Sequence, residues 1–276
     1  MLRNPFWTFF LLIACCLLFF IDVGSSLVAP ATFSSVTAFS PIKKHLLFDY
    51  PKAMELEDTL IEKDARGALT RADEPKIQEA ENASIWGGVS LTLFSYITGV
   101  PISPHPSLSL HFFCEKIHQG EVWRLFTPAL LHGSLLHLLF NITWLYILGK
   151  QIELHIGGCR YVFFILVPGI ITNAAQYVMS GFAFLGFSGI LFAMASFIAT
   201  RQRLFPEEGF FIEKSLYTFL KGTVWFFAAL SLIIFAIECY VKHPIFSLGL
   251  ANAAHITGLL SGICLGRCHL FSPKSG

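Results

Sequence analysis

The stretch "LGFSGILFAMASFIATRQR", Leu185 to Arg203, places a serine between two glycines ahead of a short apolar run, with charge only at its far end. A plain membrane helix gains nothing from a hydroxyl there. The pattern predicts a helix starting at Ser188. A helix N-terminus carries free N–H groups and a partial positive charge, which suits a developing oxyanion. A serine hydroxyl is a weak nucleophile until a base takes its proton. A second apolar stretch, "LANAAHITGLLSGICLGR", supplies an imidazole in His255. Gly258, Gly262 and Gly266 follow at four-residue intervals and form a small-residue face. Gly189, Ala193 and Ser196 make a matching face on the Ser188 helix. Two such faces let backbones come close enough for a direct hydroxyl–imidazole bond. Gly186 and Gly189 permit a tight turn and close approach. Ile190 rules out the G-x-S-x-G elbow of soluble hydrolases; the motif is G-x-S-G.

A third stretch, "HGSLLHLLFNITWLYILG", carries His137 and Asn141 four residues apart, on one helix face. An imidazole and an amide aimed at one point are oxyanion donors. His132 lies on the approach to that helix. Taken singly, each residue also has a plainer use. Ser188 fits helix packing, His255 fits packing or proton relay, and His137 with Asn141 fits interhelical polar contact. Their common depth, at the outer ends of their helices, favours chemistry, as do ionisable groups within spans. A metal site built on His132, His137 and His255 lacks any carboxylate or thiolate and matches no zinc spacing, so neither metal nor cofactor is expected.

The elements that hold these residues are membrane helices. Of 276 residues, 54% are hydrophobic and only 13% charged, about half the usual ~25% of soluble domains. Net charge is +1, and no polybasic signal for nucleic acid is present. The seven cysteines include no CxxC pair and read as small apolar fillers. Phe6–Val23 is long enough to cross the hydrocarbon core and long for a signal-peptide core, although "SSLVAPA" after it resembles a cleavage site. Five further spans follow: Ser134–Leu148, Tyr161–Met179, Ser188–Thr200, Thr223–Val241 and Leu250–Leu265. Ile85–Val100 is short, rich in Gly, Ser and Thr, and suits an interfacial or re-entrant segment. Residues 24–83 carry both charge signs and read as a solvated segment, with Leu56, Leu60 and Ile61 at helical spacing. Lys150 with Arg160, then Arg201, Arg203, Lys214 and Lys221, then Arg267 and Lys274 fall on one side, which the positive-inside rule makes cytoplasmic. The expected fold is thus an all-α polytopic bundle of six transmembrane helices, both termini inside. Its parts are a tail and first span over 1–23, a long extracytoplasmic loop region over 24–120, a core over 121–268 and a cytoplasmic tail over 269–276.

From Glu121 to Arg267 the chain resembles the rhomboid family of intramembrane serine proteases, closest to its six-span bacterial type. "GEVWRLFTPALLH" resembles the family's W-R element, "HLLFN" its H-x-x-x-N element, "GFSG" its nucleophile motif and "ANAAHITGLLSG" its A-H-x-x-G-x-x-x-G element. The resemblance implies a Ser188–His255 dyad, with Ser188 as nucleophile and His255 as general base. It implies an oxyanion site of Asn141, His137 and the Ser188 N–H. It makes Glu153 a structural glutamate and places Trp123 and Arg124 as anchors of the first loop at the lipid interface. It implies that Phe246–Asn252 caps the cavity and that the fifth span, with Trp225, Phe226 and Phe227, forms a lateral gate. Phe192 departs from the pattern, standing where some members have a tyrosine stacked on the histidine. The expected function is endoproteolysis in or near transmembrane segments of other membrane proteins, probed from the extracytoplasmic side of a bacterial inner membrane. Alternatives are an inactive relative that binds transmembrane clients, and a small transporter, for which no inverted repeat is found. Oligomeric state is not legible.

Overall fold

The computed structural model describes residues 4–28, 39–101, 105–106, 114–242 and 252–273. Helix α1 spans Phe6–Val28. Leu11, Cys15 and Phe19, four apart, face the core, while Phe10, Ile13, Leu17 and Phe20 are exposed. That is the one-sided stripe of a helix with lipid on its other face. Short helices α2 (Pro41–Leu46), α3 (Lys52–Ala65) and α4 (Glu74–Glu81) follow, then α5 (Gly88–Thr98) and α6 (Glu115–His118). A two-residue parallel pairing joins Ser84–Ile85 to His105–Pro106. The bundle proper continues with α7 (Leu135–Trp144), a π turn over Leu145–Gly149, and α8 (Lys150–Ile156). Then come α9 (Gly158–Ser180), α10 (Ser188–Leu204), α11 (Lys214–Val241) and α12 (Asn252–Gly266).

Four stretches are long and apolar enough to cross a membrane: Phe6–Ser26, Leu135–Ile156, Gly158–Ser180 and Lys214–Val241. The other two bundle helices, α10 and α12, have 17 and 15 residues, or about 25 and 22 Å at 1.5 Å per residue. Protein surrounds α10, whereas α12 buries one face, with His255, Gly258 and Gly262, and leaves Ile256 and Leu260 exposed. Every residue of α10 from Gly189 to Ile198 is buried, which makes it the central helix. Such burial is how a short helix survives at membrane depth.

Several boundaries differ from the sequence expectation: α1 runs on to Val28 and not Val23, α11 starts at Lys214 and not Thr223, and two further differences have a visible cause. The helix after His137 does not stop at Leu148 but runs on to Ile156, leaving only Gly157 before α9. The reason is Glu153, whose carboxylate accepts from the Trp7 N–H (2.9 Å), the Thr8 N–H (2.8 Å) and the Thr8 hydroxyl (2.8 Å) at the start of α1. It thereby satisfies donors that a helix start leaves free. Likewise α10 runs past Thr200 to Leu204 because Arg201 is fully buried, paired with Glu208. Arg201 also donates to the carbonyls of Gly266 (3.3 Å) and Cys268 (3.2 Å) and to the Ser272 hydroxyl (2.8 Å), tying α10 to the end of α12.

The segment before the bundle is less solvated than its charge suggests. Leu47, Phe48 and Tyr50 join Trp86, Phe182 and Phe184 in a second core beyond the Ser188 end. Asp49 holds it there, accepting from the Glu115 N–H (3.0 Å), the Lys116 N–H (2.9 Å) and the Tyr177 hydroxyl (2.8 Å). Arg124, expected to anchor the first loop at the lipid interface, is 1% exposed. It bonds Glu121 (2.6 Å) and the Leu47 carbonyl (2.8 Å), so its buried guanidinium is paired and ties the first loop to the segment before it. Trp123 stays half-exposed and donates to the His45 carbonyl (3.2 Å). Helix α5, at 11 residues, is too short to cross. It docks on the end of α9 through Ser90 Oγ to the Met179 carbonyl (2.7 Å), and Trp86, just before it, donates from Nε1 to the Tyr177 carbonyl (2.9 Å).

Arg201→Met strands the Glu208 carboxylate, which is only 10% exposed. The expected loss is about 3–5 kcal/mol of stability, the usual cost of breaking one side of a buried pair. Unfolding in detergent micelles measures it, and the double replacement Arg201→Met with Glu208→Leu should recover part of the loss.

Candidate active site

The residues singled out by sequence converge at one end of the bundle. Ser188 opens α10 after a turn that begins at Gly181 and passes through Gly186 at φ 120°. The Gly186 N–H donates to the Pro128 carbonyl (3.0 Å), fixing the turn to the first loop. Phe187, fully buried, anchors the turn from below, and its carbonyl takes the Ile190 and Leu191 N–H groups (3.0 and 3.2 Å). The Ser188 N–H therefore stands at the first helical position, outside the helix's own ladder.

The small-residue faces predicted for α10 and α12 do meet. A methyl group added to Gly258 would collide with the Gly189 carbonyl oxygen. One added to Gly262 would strike the Ala193 carbonyl and the Ser196 hydroxyl. Gly189 itself faces α9, where an added methyl would lie 2.9 Å from Thr172 Cβ. Backbone packing toward α12 and the Thr172 side chain of α9 on the other side thus leave no room for a side chain at Gly258, Gly262 or Gly189.

This approach brings Ser188 Oγ to 2.8 Å from His255 Nε2. The imidazole is 9% exposed. With Nε2 as acceptor, Nδ1 carries the proton, and among the described residues Nδ1 has no hydrogen-bond partner. The ring is held by packing instead. Phe192 lies with its ring centroid 4.7 Å away at an interplanar angle of 53°, tilted and not stacked. Phe227 of α11 lies 6.4 Å away at 52°.

His137 sits beside the Ser188 turn. A methyl group on Gly186 would come within 2.6 Å of His137 Cε1 and 2.8 Å of Nε2, so the absence of a side chain there admits the ring. The Ser134 hydroxyl caps this helix by accepting from the His137 N–H (3.2 Å). Asn141, 1% exposed, donates one amide hydrogen to the His137 carbonyl (2.8 Å) and keeps a second. His132, in the loop before α7, packs edge-on against His137 at 5.2 Å and donates to the Leu130 carbonyl (3.2 Å). Burial, and then the neighbouring His137, pushes the His132 pKa down to about 4, so this ring is neutral near pH 7.

Three positioning contacts escaped sequence reasoning. Gln176 accepts from the Ala254 N–H (3.1 Å), next to His255. Asn252 donates through Nδ2 to the Phe227 carbonyl (3.2 Å) and to the Ser231 hydroxyl. Phe227 flanks the imidazole. Gln176 and Asn252 are amides within apolar runs, a signal that the sequence carries; Phe227 is expected at the lateral gate and Asn252 in the cap, and nothing in the sequence marks either as a support of the imidazole. Glu153 and Arg124 bond at the sites described above, away from the Ser188–His255 pair. Groups of three or more metal-ligating side chains are absent among the described residues. Most of Phe246–Asn252, the expected cap, lies outside the described residues.

Comparison with known proteins identifies the family. A family model described as the Rhomboid domain matches residues 119–271. The chain is 31% identical over 147 residues to a protein named rhomboid protease GlpG from Enterobacter sp. (strain 638), covering 53% of this chain and 48% of that one. It is 30% identical, with the same coverage, to proteins of that name from two strains of Klebsiella pneumoniae. The chain spans about half the length of the curated relatives it matches. With the family model covering more than half of its residues and the four motifs falling inside the match, this multi-pass helical membrane protein belongs to the rhomboid family.

Proposed function

We propose that the protein is an intramembrane serine endopeptidase that cleaves transmembrane proteins by a Ser188–His255 dyad. The observation that carries this reading is the 2.8 Å contact between Ser188 Oγ and His255 Nε2, at the start of a buried helix. The name shared by the three relatives above, rhomboid protease, supports it.

The chemistry follows from the geometry. His255 Nε2 takes the Ser188 proton as Oγ attacks the scissile carbonyl carbon. The carbonyl oxygen becomes an oxyanion, held by the Ser188 N–H, the second Asn141 amide hydrogen and the His137 ring. The His255 imidazolium then returns its proton to the departing amine nitrogen, leaving an acyl ester on Ser188. Water, deprotonated by His255, attacks the ester carbonyl, and collapse of the second tetrahedral intermediate frees the carboxylate product and restores Ser188. Among the described residues no third group hydrogen-bonds the base; Phe192 and Phe227 confine it. No metal or cofactor takes part in these steps. The site opens to the extracytoplasmic face of a bacterial inner membrane, a placement supported by the loop charges and by the bacterial relatives. Substrate reaches it laterally past α11, the least buried bundle helix, in which only Leu220, Val224 and Glu238 are buried among the described residues.

Incubation of purified protein with a transmembrane substrate in proteoliposomes tests the reading. Cleavage should vanish in Ser188→Ala and persist in Ser196→Ala; persistence in Ser188→Ala removes the dyad mechanism. Client binding without cleavage by the wild-type protein would favour the inactive-relative reading. The base must be neutral to accept a proton, so kcat/KM should rise with pH along an acid limb that follows His255 protonation. A rate that stays flat into acid would contradict general-base catalysis. Gly258→Ala should push α12 off α10 and stretch the Ser188–His255 contact, lowering kcat about 100-fold, the scale of an ångström-sized misplacement. Gly222→Ala, where an added methyl meets nothing within 4 Å, should leave the rate unchanged.

A further inference from the structure

The base has an unusual support. Among the described residues Nδ1 has no hydrogen-bond partner, and the one hydrogen bond they give the ring is through Nε2. Rotation about the Cβ–Cγ bond is then limited by the walls of the pocket. One wall is Phe192, on the same helix as Ser188 and buried at 6% exposure. The other is Phe227, on α11. Both ring pairs fall within the 4.5–7 Å range of favourable aromatic contacts.

Helix α11 is loosely held near this point. Leu220 and Val224 fix its Arg201 end in the core. Beyond them, a cavity of about 400 Å³ reaches along α11, lined by Leu93, Met179, Ser231, Leu232, Phe235 and Asn252. Across this slack, Asn252 makes a polar tie to α11. Its amide donates to the backbone carbonyl of Phe227 itself and to Ser231, one helical turn on. Asn252 is the first residue of α12 and lies one turn before His255. One side chain therefore fixes the spacing between the base and its second wall.

We propose that Phe227, pinned through its own carbonyl by Asn252, is a positioning residue for His255, so that the placement of α11 sets the orientation of the base. The inference rests on the dyad reading. It gives α11 two linked tasks: when α11 swings away to admit a transmembrane segment, the wall leaves His255, and chemistry waits until α11 or the bound segment closes on the ring again. The substrate class most affected is one that needs α11 displaced, a full transmembrane helix. A small acylating or phosphonylating reagent needs no such movement and reads base orientation alone.

Two measurements test this on the full chain in detergent micelles. The first is the rate at which a fluorophosphonate probe labels Ser188. Phe227→Ala should slow labelling about two- to ten-fold, the weight of one aromatic contact. Phe227→Tyr, which keeps the ring, should restore it, and Phe227→Leu, which keeps apolar bulk, should not. Asn252→Ala should slow labelling by a similar factor, and the double variant should be little slower than the worse single one, because both act on one contact. With a transmembrane substrate the loss should appear in kcat more than in KM. Ile233→Ala, on an exposed part of the same helix, should label at the wild-type rate. The second measurement is independent of activity: nitrogen-15 NMR of the imidazoles, with His255 assigned by its loss in His255→Gln. The wild-type protein should give one ordered ring with Nδ1 protonated, and Phe227→Leu should broaden or average its two nitrogens. Unchanged His255 resonances in folded Phe227→Leu would overturn the proposal, as would multiplicative effects of Phe227→Ala and Asn252→Ala. Failure of the wild-type protein to label or to cleave would instead strike the dyad reading, while the NMR result would still decide whether Phe227 orders the ring.

Discussion

Everything at this site depends on two helices touching through their backbones. Gly258 and Gly262 of α12 lie against the carbonyls of Gly189 and Ala193 on α10, with no side chain between them. Inside a bilayer, helix association draws little from the hydrophobic effect, since lipid chains are as apolar as leucine. Close van der Waals contact and the hydrogen bonds it permits must supply the association instead. The Ser188–His255 contact is one of those bonds, and its 2.8 Å length is possible only because the axes are this near.

Polar anchors fix the ends of that packed centre. At one end Arg201 gathers Glu208, two carbonyls of the α12 terminus and Ser272. Glu153 holds the first turn of α1. At the other end Asp49, Tyr177 and Arg124 lock the preceding segment onto α9 and the first loop. Each is a buried polar group with partners around it, as burial demands. The result is a rigid frame in which α11 is the lightly attached member. Rigidity where the nucleophile and base sit, and slack where a substrate must pass, are compatible only because different helices carry the two properties.

Much of this was legible beforehand, and the legible parts share a reason. Ser188, His255, His137 and Asn141 are polar groups in apolar runs, and glycine spacing shows which faces must meet. Local chemistry therefore pointed to the site. Boundaries were read less well. Charge at Lys150 and Arg201 suggested loops, yet both residues lie in helices, one followed three residues later by the Glu153 anchor and the other neutralised by Glu208. A charge's partner is a tertiary fact, and without it a buried ion looks like a solvated one. The burial of Arg124 and of the segment around Asp49 has the same cause, since their partners lie far along the chain.

The sequence by itself determined that the chain is a helical membrane protein with a serine and a histidine at matching depth, because hydropathy and small-residue periodicity are local properties. Only the tertiary structure decided which buried charges find each other, that Phe227 walls the imidazole, and that Asn252 ties it there. Those contacts join residues from separate helices, and their geometry depends on how every helix between them packs.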